Sequence, residues 1–244
     1  MTQPDGDARG PETQYQRLFR NNREWVARRT AEDPEFFRRR ADRQEPNFLF
    51  IGCSDSRVAA ELLTGLQPGE MFVHRNIANL AVATDLNLLA VLHYAVDVLR
   101  VRDVLVCGHY GCGGVRAAMA PDVPSEIVEQ WLHPVRDVIR LHSGELAALA
   151  DDEARYRRLV EINAAEQAFN LARSPVLASA WRRGQRVSVH AMVYDLADGL
   201  LRDLGVSTCA TGHLPDAHRS AWLERWEAGV PGRTSTTTPI RTSP

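Results

Sequence analysis

Nothing in the composition of this sequence points to a nucleic acid or a membrane. Lys and Arg together number 29 and Asp and Glu 31, a formal net charge of −2. The basic excess that accompanies a nucleic-acid or membrane-surface partner is therefore missing. No apolar run approaches the roughly 18 residues that a membrane span needs. Met1 to Pro11 are polar and lack the basic-then-apolar order of a signal peptide, so a cytoplasmic address is the expectation. Cysteine is scarce: the four residues, at 53, 107, 112 and 209, are too few and too unevenly spaced for a disulfide scaffold. In a reducing compartment they read as metal ligands or small buried hydrophobes. There is no internal repeat.

What is present suits one globular domain. The 244 residues are 44% hydrophobic and 25% charged, enough for a real core and ordinary for a soluble protein. Residues 1–12 are expected to be loose, residues 13–226 to form the domain, and residues 227–244, rich in Gly, Pro, Thr and Ser, to lack fixed structure. Within the domain, residues 13–45 read as a helical arm. Tyr15, Leu18, Phe19, Trp25 and Val26 lie among charged residues from Gln14 to Arg29, and Asp33-Pro34 reads as the cap and first residue of a short second helix. So many aromatics on an arm are poorly buried in isolation, which suggests packing on a partner subunit.

The centre alternates between two periodicities. Phe48–Ile51, Met71–Val73 and Val104–Cys107 are short apolar runs of the kind found in strands buried on both faces. From Thr84 to Arg100, Leu86, Leu89, Ala90, Val96 and Leu99 repeat at helical spacing behind a Thr84 cap. Helical stretches follow from Ser125 to Trp181, then a fourth strand from Arg186 to Tyr194. Strands separated by helices predict an α/β fold with a mainly parallel sheet covered on both sides, its ligands bound beyond the C-terminal strand ends.

Two motifs stand at such ends. Cys53-Ser54-Asp55-Ser56-Arg57 follows the first strand, and His109-Tyr110-Gly111-Cys112-Gly113-Gly114 follows the third predicted run. If those strands are neighbours, two thiolates and an imidazole converge, a set that suits tetrahedral Zn²⁺. Taken singly, each cysteine would read as a core residue, the reading kept for Cys107 and Cys209. A structural zinc site normally has four Cys or His ligands, whereas this set offers three and a nearby acid, which favours catalysis. The Arg57 guanidinium can hold the Asp55 carboxylate bidentately and keep it ionised. Gly113 and Gly114 would let backbone approach a bound ligand. His74, His93 and His190 read as structural, whereas His142, His213 and His218 are expected to be exposed and able to buffer protons.

Together with Pro68-Gly69-Glu70, Arg75-Asn76-Ile77-Ala78-Asn79 and Tyr94-Ala95-Val96, these motifs resemble the β-carbonic anhydrase family over about Phe48 to Leu204. The likeness is to bacterial-type members with a bicarbonate effector site. It implies one Zn²⁺ per chain on Cys53, His109 and Cys112, homodimers or homotetramers built through helical arms, and reversible hydration of CO₂ to bicarbonate and a proton. Zinc lowers the pKa of bound water from about 15.7 to about 7, giving a hydroxide that attacks CO₂. The resemblance gives Asp55 a hydrogen bond from that hydroxide, or a place on zinc in a closed state. It also implies an effector pocket of a tryptophan, an arginine and a tyrosine. Arg75 and Tyr194 match, but Phe50 stands at the tryptophan position and lacks an indole donor, so a pH-sensitive enzyme with weakened bicarbonate control is the expectation. Competing readings are a hydrolase of carbon disulfide or carbonyl sulfide on the same scaffold and a noncatalytic zinc and bicarbonate-binding protein. A cysteine phosphatase would need a longer phosphate-cradling loop than the three residues between Cys53 and Arg57.

Overall fold

A computed structural model describes residues 12–121 and 125–208. The expected loose ends, apart from Glu12, lie outside the described residues, as do Cys209, His213 and His218. The chain divides into an N-terminal unit up to Gln44 and a second unit from Glu45.

The first unit is built on helix α1, Gln14–Glu32. Thr13 caps it in a reciprocal capping box: its hydroxyl accepts from the Gln16 N–H while the Gln16 side chain accepts from the Thr13 N–H. No residue of α1 is buried, and Tyr15, Leu18 and Phe19 are exposed. Trp25, Phe36 and Phe37 form an edge-to-face cluster with centroids 5.1–6.2 Å apart, and the Arg40 guanidinium sits 3.8 Å from the Phe36 ring centroid. The second helix begins later than Asp33-Pro34 predicts. Asp33 instead caps a tight turn, accepting from the Glu35 and Phe36 N–H groups, and α2 runs only from Arg38 to Ala41.

The second unit is a five-stranded sheet in the order β2-β1-β3-β4-β5, comprising β1 Phe48–Cys53, β2 Met71–Asn76, β3 Asp103–His109, β4 Ser188–Tyr194 and β5 Leu201–Thr208. The first four pair in parallel and β5 runs antiparallel to β4. Both faces of β1 and β3 are buried, which is why their sequences read as unbroken apolar runs. On one face, Leu49, Ile51, Val104, Val106, Val189 and Ala191 pack against α4 (Leu86–His93), α8 (Asp152–Ala172) and α9 (Pro175–Arg182). The other face carries Phe50, Met71, Leu105 and Cys107, which pack with Val58, Leu63 and Leu66 around the short α3, Ala60–Thr64. Helical cover is thus unequal on the two faces.

Asp85, not Thr84, caps α4, accepting from the N–H groups of Asn87 and Leu88, and the helix widens into a π turn at Tyr94–Val98. Ser125 caps α6, Glu126–Leu141, its hydroxyl accepting from the Val128 N–H. The remaining helices are α5, Gly113–Met119, and α7, Ser143–Ala147. Among the described residues no helix is long and apolar enough to cross a membrane.

Candidate metal centre

The strands run further than their apolar cores suggest, and their last residues carry the chemistry. Cys53 ends β1 and His109 ends β3, and these two strands are direct parallel neighbours. After His109 the chain turns through Gly111, whose φ of 80° is one that side-chain-bearing residues rarely adopt, and delivers Cys112 as the N-cap of α5. The donor atoms of Cys53, His109 and Cys112 all lie within 4.8 Å of one another, and all three residues are buried.

Their chemistry fits a zinc ion. The two sulfurs are 3.9 Å apart; a tetrahedral ion with Zn–S bonds near 2.3 Å sets them about 3.8 Å apart. His109 Nδ1 lies 3.1 Å from the Tyr110 carbonyl, which can only accept, so Nδ1 carries the proton and Nε2 keeps a lone pair. That Nε2 is buried and makes no hydrogen bond, a costly state for a polar atom unless something else binds it. The Cys53 thiol is pushed down, most by its contact with Cys112 and next by the neighbouring His109 imidazole. Cys112 is pushed up by the same bond and by burial, against the N–H groups of Val115 and Gly114. One negative charge is already favoured on the pair.

Asp55 and Arg57 form the predicted clamp. Arg57 Nε donates to Asp55 Oδ1 at 2.9 Å and its terminal nitrogen to Oδ2 at 2.6 Å, while a third bond reaches the Gly111 carbonyl at 3.1 Å. The guanidinium holds the Asp55 carboxyl well below the usual carboxylate range. Asp55 Oδ2 lies 3.9 Å from His109 Nε2, so the clamped carboxylate borders the ligand set.

The other residues singled out in the sequence occupy varied positions. Arg75 Nε donates to the Cys53 carbonyl at 2.8 Å and its terminal nitrogen to the Asp55 carbonyl, so it braces the turn after β1. Phe50 is fully buried on the α3 side of the sheet, its ring lying over Gly52, and half-buried Tyr194 packs against the same cluster. Gly113 has open space where a Cβ would stand, whereas a Cβ on Gly114 would meet Ile77 Cγ2 at 2.8 Å and Ala78 Cβ at 3.2 Å. The second glycine therefore seats α5 against the 77–79 turn. Cys107 is a core residue, its thiol pushed up to about 12 by burial. His142 corrects an expectation: it is buried, with Nε2 3.1 Å from Glu166 and Nδ1 3.6 Å from Glu145. A histidine walled in by two carboxylates is not the exposed proton buffer its position suggests. His93 is exposed and pairs with Asp97, whereas His74 is buried on β2 and His190 bonds Asp103 and Ser207.

Several supports of the centre carry no local motif. Tyr156 donates to the Cys112 carbonyl at 3.0 Å, Trp131 Nε1 to the Ile77 carbonyl at 2.8 Å, and Asn163 Nδ2 to the Ala78 carbonyl at 3.0 Å. Tyr110 donates to Glu161, and burial and that carboxylate push its hydroxyl up to about 12, so it stays a donor.

The comparisons with known proteins agree with this geometry. The sequence profile of the family described as carbonic anhydrase matches residues 48–201. A carbonic anhydrase of Emericella nidulans is 45% identical over 208 residues, covering 83% of this chain and 91% of that protein. Among solved structures, a tetrameric β-carbonic anhydrase of Sordaria macrospora superposes with a TM-score of 0.76 at 35% identity, covering 81% of this chain and 100% of its own. A Coccomyxa β-carbonic anhydrase in complex with acetazolamide gives 0.78 at 34% identity, covering 88% and 99%. The chain is a member of the carbonic anhydrase family, in its β class.

Proposed function

We propose that this chain catalyses the reversible hydration of CO₂ to bicarbonate and a proton, with one Zn²⁺ per chain held by Cys53, His109 and Cys112. The observation that carries this reading is the buried Cys-His-Cys convergence with a clamped carboxylate at its border. Zinc supplies Lewis acidity there, making water acidic enough to yield hydroxide near neutral pH. The protein supplies the rest. Arg57 keeps Asp55 ionised, and with both carboxylate oxygens on the guanidinium, Asp55 serves as a hydrogen-bond acceptor that orients the reacting water rather than as a fourth ligand. The bond from Arg57 to the Gly111 carbonyl ties this acceptor to the turn that carries Cys112. The dry surroundings of His109 and Cys112 strengthen these interactions.

Stopped-flow CO₂ hydration on protein of quantified zinc content tests the proposal. Rapid hydration with about one zinc per chain supports it. Full zinc without hydration favours a noncatalytic bicarbonate-binding protein or a hydrolase of carbon disulfide or carbonyl sulfide.

Bicarbonate control through Phe50, Arg75 and Tyr194 is weak in this reading, because Arg75 is committed to two backbone carbonyls and Phe50 offers no donor. A sigmoidal, bicarbonate-dependent loss of rate below neutral pH, as strong as a pocket with a tryptophan would give, counts against it. A cytoplasmic setting, where thiols stay reduced, and assembly into homo-oligomers complete the proposal.

A further inference from the structure

Behind the turn that faces Cys53 runs a line of buried polar groups that touches no candidate ligand side chain. Ala78 and Asn79 carry φ values of 66° and 49°, a left-handed conformation that L side chains disfavour. Ala78 is fully buried and packs in the same buried cluster as Cys53 and Cys112. Its carbonyl accepts from Asn163 Nδ2 at 3.0 Å; Asn163 Oδ1 in turn accepts from Gln167 Nε2 at 3.0 Å. Gln167 Oε1 accepts from the Ala81 N–H at 2.9 Å. Asn163 and Gln167 stand four residues apart on α8, one turn of one face, and both are buried. The turn is therefore tied to α8 at two points, the Ala78 carbonyl and the Ala81 amide. In so dry a place water does not replace a lost partner, so the ties are needed to keep two non-glycine residues in a disfavoured conformation.

We infer that Asn163 and Gln167 are positioning residues for the metal centre: they lock the 77–81 turn in its left-handed form and so fix the buried wall against which Cys53 and Cys112 pack. The same lock fixes the Ile77–Ala78 wall on which Gly114 seats the head of α5, the helix that starts from Cys112. Both sulfurs are thereby set from one pair of side chains more than 50 residues further along the chain. The inference rests on Cys53, His109 and Cys112 being the zinc ligands.

The experiment is zinc affinity of the full chain, measured by competition with a chromophoric chelator. It is paired with the visible thiolate charge-transfer spectrum of the cobalt(II)-substituted protein. Asn163→Leu keeps the branched shape and removes the donor; its zinc affinity is expected to fall about 10–100-fold, the usual effect of losing a group that orients a ligand. Its cobalt spectrum is expected to shift. Gln167→Met is expected to show a smaller loss in the same direction. Adding Ala78→Gly to Asn163→Leu removes the left-handed penalty and is expected to recover much of the lost affinity. A mere disturbance of α8 packing would not be repaired that way.

Wild-type affinity and spectrum in both Asn163→Leu and Gln167→Met overturn the inference. So does Asn163→Leu binding equally weakly with and without Ala78→Gly. Should Asn163→Leu fail to fold, Gln167→Met decides, and wild-type affinity there overturns it. A wild-type chain that binds no zinc would instead overturn the ligand assignment on which all this rests.

Discussion

At the scale of single residues, the candidate centre divides into groups that hold a metal and groups that handle the proton. Cys53 and His109 belong to the first. Cys53→Ser or His109→Ala is expected to strip most of the zinc and abolish hydration, read by metal analysis beside the stopped-flow rate; full occupancy in both variants would reassign the ligands. Asp55 belongs to the second, so Asp55→Ala is expected to retain zinc and slow turnover by about 10²–10⁴-fold. Arg57 acts on Asp55, and its effect has a definite sign in pH. Its hydrogen bonds hold the Asp55 carboxyl below the ordinary value of about 3.9, so the folded state favours the charged form. That contribution to stability is present above the ordinary value and is lost as pH falls through the folded-state one. Arg57→Met removes it. The melting-temperature gap between wild type and variant is expected to be widest above about pH 4 and to close on acidification. A gap independent of pH would mean that Arg57 works only through its bond to the Gly111 carbonyl.

Elements show how much of this arrangement a sequence can display and where it stops. Both ligand motifs were legible because a strand buried on both faces leaves an unbroken apolar run, and the chemistry stands at its end. The same logic failed for β5. Its residues alternate between exposed and half-buried from Leu201 to Leu204, only Val206 among them is buried, and no apolar run marks the strand. The cap of α4 was misplaced by one residue because Thr84 and Asp85 are both good caps, and only backbone geometry chooses. His142 was misread because burial between Glu145 and Glu166 is created by α7 and α8 folding together, which no local spacing records. Asn163 and Gln167 were invisible for the same reason. Gly52 is a further case, a small residue whose need arises from its own strand. A Cβ there would lie 2.2 Å from a Phe50 ring carbon, so Gly52→Ala must expel that ring from a fully buried site. A destabilisation of about 1–3 kcal/mol is expected from such overpacking, read by chemical denaturation. Unchanged stability would show that the ring has room to turn away.

For the whole molecule, the unsettled surface is the arm. Helix α1 buries no residue, and Tyr15, Leu18 and Phe19 stand 69%, 64% and 51% exposed on one stretch of it. Each large apolar side chain left in water forgoes roughly 1.5–3 kcal/mol that burial would return. A helix of 19 residues with a cap but no core of its own is marginal in isolation, and most helical stability in proteins comes from packing an apolar face. The arginine-glutamate pairs along α1 add little, since exposed ion pairs contribute about 0–1 kcal/mol and are screened by salt. The Sordaria macrospora relative is tetrameric, and a second copy of this chain is the proposed cover for the arm. The double substitution Leu18→Glu/Phe19→Glu sets charge where that contact needs apolar surface. Light scattering on the variant is expected to give a smaller assembly than wild type, with zinc per chain unchanged, because the arm carries none of the proposed ligands. An unaltered assembly size would place the contact elsewhere, with the sheet face on which α3 packs as the next surface to test.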